Sequence, residues 1–138
     1  MSFHPILFAL FLASPLFGCD WFPDQIEAPT YPVLANQAAI QGLVSVKLTL
    51  SQAGDVIAAD VISGNLVLAK AAKANLLLWK FAGICSTNES LPTTIEFKYR
   101  FRLTGVVMEK HTTQFRYQHP YRVTVLSQAL HFMPEKTE

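Results

Sequence analysis

Residues 94–103 read TIEFKYRFRL and alternate strictly between two kinds of side chain. The apolar and aromatic set is Ile95, Phe97, Tyr99, Phe101 and Leu103. The charged set is Glu96, Lys98, Arg100 and Arg102. Successive side chains of a β-strand point to opposite faces of its sheet, so this stretch predicts a strand with one buried and one wet face. Such a strand is typical of an antiparallel sheet.

The residues before this strand predict a β-hairpin. Residues 43–50 alternate, with four apolar side chains on one face, and residues 56–62 form a second arm with a weaker alternation. The segment 51–55 between them has turn-forming residues, and Gly54 can take the positive φ that such turns need. Near the other end of the chain, two further strands are predicted on either side of His119 and Pro120, at residues 113–118 and 121–127.

Two segments have helical patterns. Pro32 suits the first turn of a short helix over residues 33–40, because its missing N–H would have no partner there. Residues 66–80 lack Gly and Pro and carry an apolar stripe that ends at Trp79, whereas residues 82–91 predict a loop. The pattern as a whole predicts an α+β fold, with a small antiparallel sheet of three to five strands and two helices packed on one face.

The N-terminus predicts an export signal. Residues 6–16 form an apolar run that is short for a membrane span but suits the core of a signal peptide. Leu16-Phe17-Gly18-Cys19 then resembles a bacterial lipobox, which would make Cys19 the lipidated first residue of the mature chain, although Phe17 is bulkier than usual. Ordinary secretion and an uncleaved anchor are the alternatives. Cys19 could also pair with Cys85, since an exported chain with two cysteines can form a disulfide.

No pattern in the sequence predicts catalysis. The chain has 138 residues and a formal net charge of +1, so it lacks the basic field expected of a nucleic-acid-binding protein. Its four histidines are scattered without metal-ligand spacing, and we expect no metal, no cofactor and no enzymatic activity.

The row Lys98, Arg100 and Arg102 has two interpretations. It could steer an acidic peptide or a membrane surface, or it could be the solvated face of a strand.

The order of these elements resembles the C-terminal domain of the TonB family. The residues that carry the resemblance are Tyr31-Pro32, Gly42 before the first hairpin strand, Gly54 in its turn, Trp79-x-Phe81, and the strand 94–103. The resemblance implies a domain that binds partners and catalyses nothing. In the family, the last strand accepts an extended peptide from an outer-membrane receptor by strand addition, in which backbone hydrogen bonds supply the affinity.

That resemblance implies where a partner would bind and where the protein works. The implied partner-binding edge strand carries Thr94, Glu96, Lys98, Arg100 and Arg102. The implied partner is a protein or peptide of the cell envelope, such as an outer-membrane receptor. The expected location is the periplasmic side of the envelope, with a lipid anchor or after secretion. A homodimer, a short energy transducer for TonB-dependent transport and a structural envelope lipoprotein stay open as alternatives.

The resulting division of the chain has four parts. We expect a signal peptide over residues 1–18, a tether over 19–30, the TonB-like domain over 31–104, and a C-terminal strand extension with a tail over 105–138. The extension leaves two possibilities for the predicted binding strand. Its edge could stay free for a peptide, or the extension could fold back and cover it.

Overall fold

The strand predicted from TIEFKYRFRL lies in the middle of the main sheet. In the computed structural model, which describes residues 18–86, 88–106 and 113–130, it is strand β5 (Thr94–Thr104). The other elements, in chain order, are β1 (Cys19–Gln25), α1 (Val33–Gln37), β2 (Gly42–Leu50), β3 (Val56–Ser63), α2 (Leu66–Leu76), β4 (Lys80–Cys85), β6 (Gln114–Gln118) and β7 (Arg122–Gln128).

The strands of the described residues form two sheets. The larger has five strands in the order β3-β2-β5-β7-β6, and the smaller pairs β1 with β4. All neighbours are antiparallel except β5 and β7, which run parallel. The predicted α+β class is confirmed, and so is the hairpin, formed by β2 and β3 around Gly54 at a φ of 89°.

The inner face of the five-stranded sheet builds the core as the alternation predicts. Val44, Val46 and Leu48 of β2 are completely buried, while Phe97, Tyr99 and Phe101 of β5 are at most 1% exposed. Helix α2 covers β2 and β3, and aromatic side chains of β4 and of the segment before it cover β5. Burial of a large apolar side chain contributes about 1.5–3 kcal/mol, so this face supplies most of the stability of the fold.

Helix α2 begins and ends for identifiable reasons. Asn65 caps its first turn, where the Asn65 Oδ1 accepts from the backbone N–H of Val67 at 2.9 Å and of Leu68 at 3.3 Å. The helix ends at Leu76, four residues before the predicted limit. The chain leaves it there because Trp79 and Phe81 are drawn into the core against Phe97, with ring centroids 5.6 and 5.7 Å from that residue.

The predicted tether over residues 19–30 is wrong for its first half. Residues 19–25 form β1, which pairs antiparallel with β4 from Cys19 opposite Cys85 to Gln25 opposite Lys80. Only Trp21 of β1 is buried, so the segment has no sequence periodicity that could reveal a strand. The predicted loop over residues 82–91 is wrong in the same way, because its first residues belong to β4.

The C-terminal strands are confirmed as β6 and β7, joined by a turn at residues 119–121. The predicted signal peptide, apart from Gly18, lies outside the described residues, as do part of the predicted loop over residues 105–112 and the tail from residue 131. Among the residues the structure describes, no helix has both the length and the apolarity to cross a membrane.

Candidate functional site

The predicted binding strand is not an edge strand. β5 pairs with β2 from Thr94 to Phe101 on one side and with β7 from Lys98 to Thr104 on the other. The prediction of a free edge at β5 is therefore wrong, and the alternative, in which the extension folds back over it, is what the structure shows. Thr94, Glu96, Lys98, Arg100 and Arg102 are all exposed, but they expose their side chains on the outer face of the sheet and not a free backbone.

Strand β7 belongs to the core. Val123 and Val125 are 1% and 0% exposed, and they extend the apolar inner face of β5 by one strand. Asn36 of α1 holds the end of β7, because its Nδ2 donates to the carbonyl oxygen of Gln128 at 2.8 Å and its Oδ1 accepts from the N–H of Leu130 at 2.9 Å. Asn36 is itself only 5% exposed, so these bonds replace the water that it loses.

The turn between β6 and β7 is bound to β1. The carboxylate of Asp20 accepts hydrogen bonds from the Tyr121 hydroxyl and, at 2.9 Å, from the N–H of Trp21, while its second oxygen lies 3.2 Å from Nε2 of His119. The ring of Phe22 stacks on that of His119 at 4.8 Å. Burial, then the hydrogen bond to Asp20 and its charge, raise the pKa of Tyr121 well above the usual value. This cluster joins residues about a hundred positions apart, and no sequence spacing could have revealed it.

The arginines of the chain lie together on the outer face of the five-stranded sheet. Lys98, Arg100 and Arg102 on β5 stand beside Arg122 on β7 and Arg116 on β6. The register places Lys98 opposite Arg122, and it places Thr124 between Arg100 and Arg116. A shallow depression of about 400 Å³ lies over part of this face, lined by Leu43, Lys98, Arg100, Gln118, Arg122, Val123 and Thr124. We call Lys98, Arg100, Arg102, Arg116 and Arg122 the basic face.

The residues that carry the family resemblance have structural roles. Tyr31 is 6% exposed, packs edge-on against Phe101 and donates its hydroxyl proton to the carbonyl of Ile40. Pro32 precedes α1, and its carbonyl accepts from the N–H of Asn36 at 2.9 Å. Gly42 opens β2 with a φ of 148°. The remaining three residues, Gly54, Trp79 and Phe81, meet at the end of the hairpin. The N–H of Phe81 donates to the carbonyl of Gly54, and the ring centroids of Trp79 and Phe81 are 6.2 Å apart.

Trp79 belongs to a buried polar network that closes the core. Its indole N–H donates to the carbonyl of Glu27 and to Oδ1 of Asn75, both at 3.1 Å. The same Asn75 oxygen accepts from the hydroxyl of Tyr99 at 2.6 Å. Burial raises the pKa of Tyr99 far above its usual value, so the phenol stays protonated and can donate. Every buried side-chain polar atom in the described part of the chain has a partner, which is the signature of a structural network.

The two cysteines are joined. Cys19 and Cys85 form a disulfide at the end of the β1–β4 pair, with their Cα atoms 4.0 Å apart. A sulfur bonded to its own Cβ and to a second sulfur cannot also carry a lipid thioether, so this disulfide and lipidation of Cys19 exclude each other. Of the two fates predicted for Cys19, the structure contains the pairing with Cys85.

No grouping among the described residues suggests a metal centre. Within ranges 18–86, 88–106 and 113–130, no three His, Cys, Asp or Glu side chains are arranged to hold an ion. His119 is the one histidine in these ranges, and its ring nitrogens face Asp20 and, at 3.2 Å, the hydroxyl of Tyr117. The candidate binding surfaces of the described residues are therefore the sheet edges and the basic face.

Comparison with known proteins identifies the family. The family model of the C-terminal region of Gram-negative bacterial TonB proteins matches residues 27–103, more than half of the chain. The comparisons with curated proteins and with solved structures find no match. The matched residues run from just before α1 to the end of β5, so β1, β6 and β7 lie outside them. The match supports an envelope domain for protein interaction or energy transduction, in a family of non-enzymatic interaction domains that contact outer-membrane receptors and other envelope proteins. The chain belongs to the TonB C-terminal domain family.

Proposed function

We propose that this protein is a non-catalytic interaction domain of the cell envelope that captures an extended segment of a partner by strand addition at the outer edge of β6. The observation that carries the proposal is the topology of the sheet. β6 is its last strand beyond β5 and β7, and no other strand of the described residues pairs with the outer side of β6. An unpaired row of backbone N–H and C=O groups is the element that strand addition requires.

The edge of β5 is a poorer candidate, because a peptide would first have to displace β7. That exchange would expose Val123 and Val125, at a cost of about 1.5–3 kcal/mol for each, and would break the contacts of Asn36 and Asp20. Addition of a peptide to the outer edge of β6 would leave Val123 and Val125 buried and would keep the contacts of Asn36 and Asp20. In this proposal the binding edge lies two strands outward from β5, because β7 and β6 follow β5 in the sheet.

The side chains of β6 give a partner two different surfaces. Phe115 and Tyr117 pair with Val125 and Val123, so they share the inner, apolar side of the sheet, and Phe115 is 38% exposed. Gln114, Arg116 and Gln118 stand on the outer side, where a depression of about 440 Å³ lies between β6 and Arg102. An added strand with alternating apolar and polar residues would match both sides.

Two proline variants test this edge. Phe115 and Arg116 are neighbours, and adjacent N–H groups of a strand point to opposite sides, so one of the two points to β7 and the other outward. Proline at the inward position should lower the melting temperature, whereas proline at the outward position should leave folding intact and abolish binding. The probe is a set of synthetic segments from the periplasmic ends of TonB-dependent outer-membrane receptors, titrated while backbone amide shifts are followed by NMR.

The location of the shifts decides the outcome. The proposal expects them on β6 and its turn, with a modest loss of affinity for Arg116→Ala because the backbone supplies most of the binding. Shifts confined to β3, the opposite edge of the sheet, would place capture elsewhere. A chain truncated after residue 106 that stays folded and gains affinity would show that β7 is a removable cover and would overturn the choice of β6.

The periplasmic side of the envelope agrees with the disulfide. Disulfides persist in oxidising compartments, and the bacterial periplasm is one of them. An energy transducer is the second candidate, because the family match supports it equally. A transducer needs contact with an energising complex in the membrane, so co-purification of such a complex with the full chain would favour it, and its absence would favour the simple binding domain. Acylation of Cys19 would need the disulfide to be absent and stays a prediction.

A further inference from the structure

The basic face contains every arginine of the chain. The sequence has four arginines, and all stand on the outer face of three adjacent strands together with Lys98. Neighbouring strands are about 4.8 Å apart, so these cations form a compact two-dimensional array and not a single row. Chance distribution over a surface does not favour such an arrangement, because the like charges repel one another.

The cations of this array are not neutralised within the described part of the chain. No carboxylate there lies at ion-pair distance from any of the five, and the one ion-pair contact found joins His119 to Asp20. The two carboxylates on the outer face of the same sheet lie to one side of the array: Glu96 precedes Lys98 on β5, and Asp60 lies beyond Glu96, with Lys47 between the two. The array therefore offers its charge to an external anion.

The chemistry of arginine narrows the class of anion. The guanidinium is planar and always charged, and its donors match the oxygens of a phosphate or carboxylate two at a time. Four arginines against one lysine favour oxyanion recognition over a purely solubilising surface, for which lysine serves as well. The array is exposed and shallow, so it suits an extended surface of anions better than one enclosed ligand.

An extended peptide fits the array poorly. A strand added to β6 would stand beside Arg116, but Lys98 and Arg100 lie two strands further in, at about 10 Å from β6 by the usual strand spacing. Apolar side chains also lie on this outer face of the sheet, among the five cations. Leu43, which is 57% exposed, stands beside Arg100, and Leu126 separates Arg102 from Gln114. Leu43 is exposed and Leu126 is half-buried, and cations around such leucines are typical of surfaces that rest on lipid headgroups.

The chain also enters the domain next to this face. Asp20 contacts His119 and Tyr121, and these residues directly flank Gln118 and Arg122, a register pair at the end of the array. The end of the array therefore lies next to the point where the described part of the chain enters the domain.

From these observations we propose that the basic face is a docking surface for a membrane rich in anionic phospholipids. The phosphates of the headgroups would occupy the array while Leu43 and Leu126 contact the interfacial region. The proposal does not depend on strand addition, because it uses the outer face of the sheet and leaves the backbone edge of β6 free. It orients the domain with its outer sheet face on the membrane and its helices toward the periplasm.

Vesicle flotation of the purified full chain tests the proposal. The vesicles are phosphatidylcholine alone or equal parts phosphatidylcholine and phosphatidylglycerol, and the readout is the ratio of the two partition coefficients, so that any insertion of apolar residues into neutral lipid cancels. We expect a strong preference for the anionic vesicles that weakens as salt is added. Each cation near an anionic membrane contributes about fivefold to binding, so Arg100→Gln with Arg122→Gln should lower the ratio roughly 25-fold.

The matched control removes two charges from the other side of the molecule. Lys70→Gln with Lys73→Gln, on the exposed side of α2, changes the net charge equally and should leave the ratio almost unchanged. Arg100→Lys with Arg122→Lys should lower the ratio, but by less than the glutamine pair, because the charge is kept while the paired hydrogen bonds to phosphate are lost. The pair Arg102→Gln with Arg116→Gln replaces the first variant if that one unfolds. The proposal would be overturned if the ratio of partition coefficients fell equally in the arginine variants of the basic face and in the Lys70, Lys73 control. So would the absence of any anionic preference, or tight binding of poly-glutamate by a chain that ignores the vesicles, which would indicate an acidic protein partner.

Discussion

Gly54 and Phe81 are joined so closely that no other residue than glycine fits at position 54. The carbonyl of Gly54 accepts from the N–H of Phe81 at 2.9 Å, and a Cβ built on Gly54 would lie 1.7 Å from the carbonyl oxygen of Phe81. The tip of the β2–β3 hairpin is thereby attached to the start of β4. Since β4 pairs with β1, this contact is one of those that connect the large sheet to the small one.

Replacement of Gly54 by alanine should therefore destabilise the whole domain. The side chain needs space that the backbone of Phe81 occupies, and the φ of 89° is unfavourable for any residue with a Cβ. The left-handed region alone costs about 1–2 kcal/mol, and the collision adds to it. Gly42→Ala is the matched control, since Gly42 has a φ of 148° but no atom within 4 Å of its Cβ position. Equal free energies of unfolding for the two variants, measured with urea, would contradict the steric argument.

Truncation of Trp79 should be among the most damaging substitutions in the core. Trp79 is 1% exposed and contacts Phe81, Phe97 and Tyr117. We expect Trp79→Ala to lower the free energy of unfolding by about 3–5 kcal/mol. Trp79→Phe keeps much of the packing but removes the N–H that bonds to Glu27 and Asn75. This variant should therefore lower the free energy of unfolding by less than Trp79→Ala does. An unchanged melting temperature for Trp79→Ala would be incompatible with this placement.

Reduction of the disulfide should weaken the domain without abolishing the fold. Cys19 and Cys85 are 66 positions apart, and closure of a loop of that length stabilises by about 4 kcal/mol in the chain-entropy treatment. The measurement is urea unfolding with and without reductant, and the double variant Cys19→Ser, Cys85→Ser should be indifferent to reductant. Intact mass of the protein extracted from the envelope gives the counter-test, because acyl chains on Cys19 would show that the disulfide does not form in cells.

Alkaline pH should unfold the protein through its tyrosines. Burial raises the pKa of all four, Tyr31, Tyr99, Tyr117 and Tyr121, above the usual 10.0. In the unfolded chain they ionise near that usual value, so the stability they contribute is complete below pH 10 and is lost progressively as pH rises above it. Phenolate absorbance should therefore rise together with the loss of circular dichroism. A simple titration of all four near pH 10 in a chain that stays folded would contradict this.

Local patterns in the sequence determined the fold class and the family. The alternation in residues 94–103 and 43–50, the turn at Gly54 and the apolar stripe before Trp79 are properties of neighbouring residues, and each appears in the structure as β5, β2, a hairpin and α2. Side-chain periodicity reports the burial of one face, so a strand or helix with one buried face is visible without knowledge of its partner.

Only the tertiary structure decided which strands are neighbours and which edges stay free. Pairing of β1 with β4 buries one residue of β1, Trp21, so neither strand has a periodic signature. The insertion of β7 beside β5, which moves the free edge to β6, depends on Val123 and Val125 finding a place in a core built more than twenty residues earlier. The basic face also needs that pairing, because Arg116 and Arg122 join Lys98, Arg100 and Arg102 only when three strands lie in one sheet. Long-range pairing depends on contacts across the whole chain, so the local periodicity of a segment does not reveal its partner.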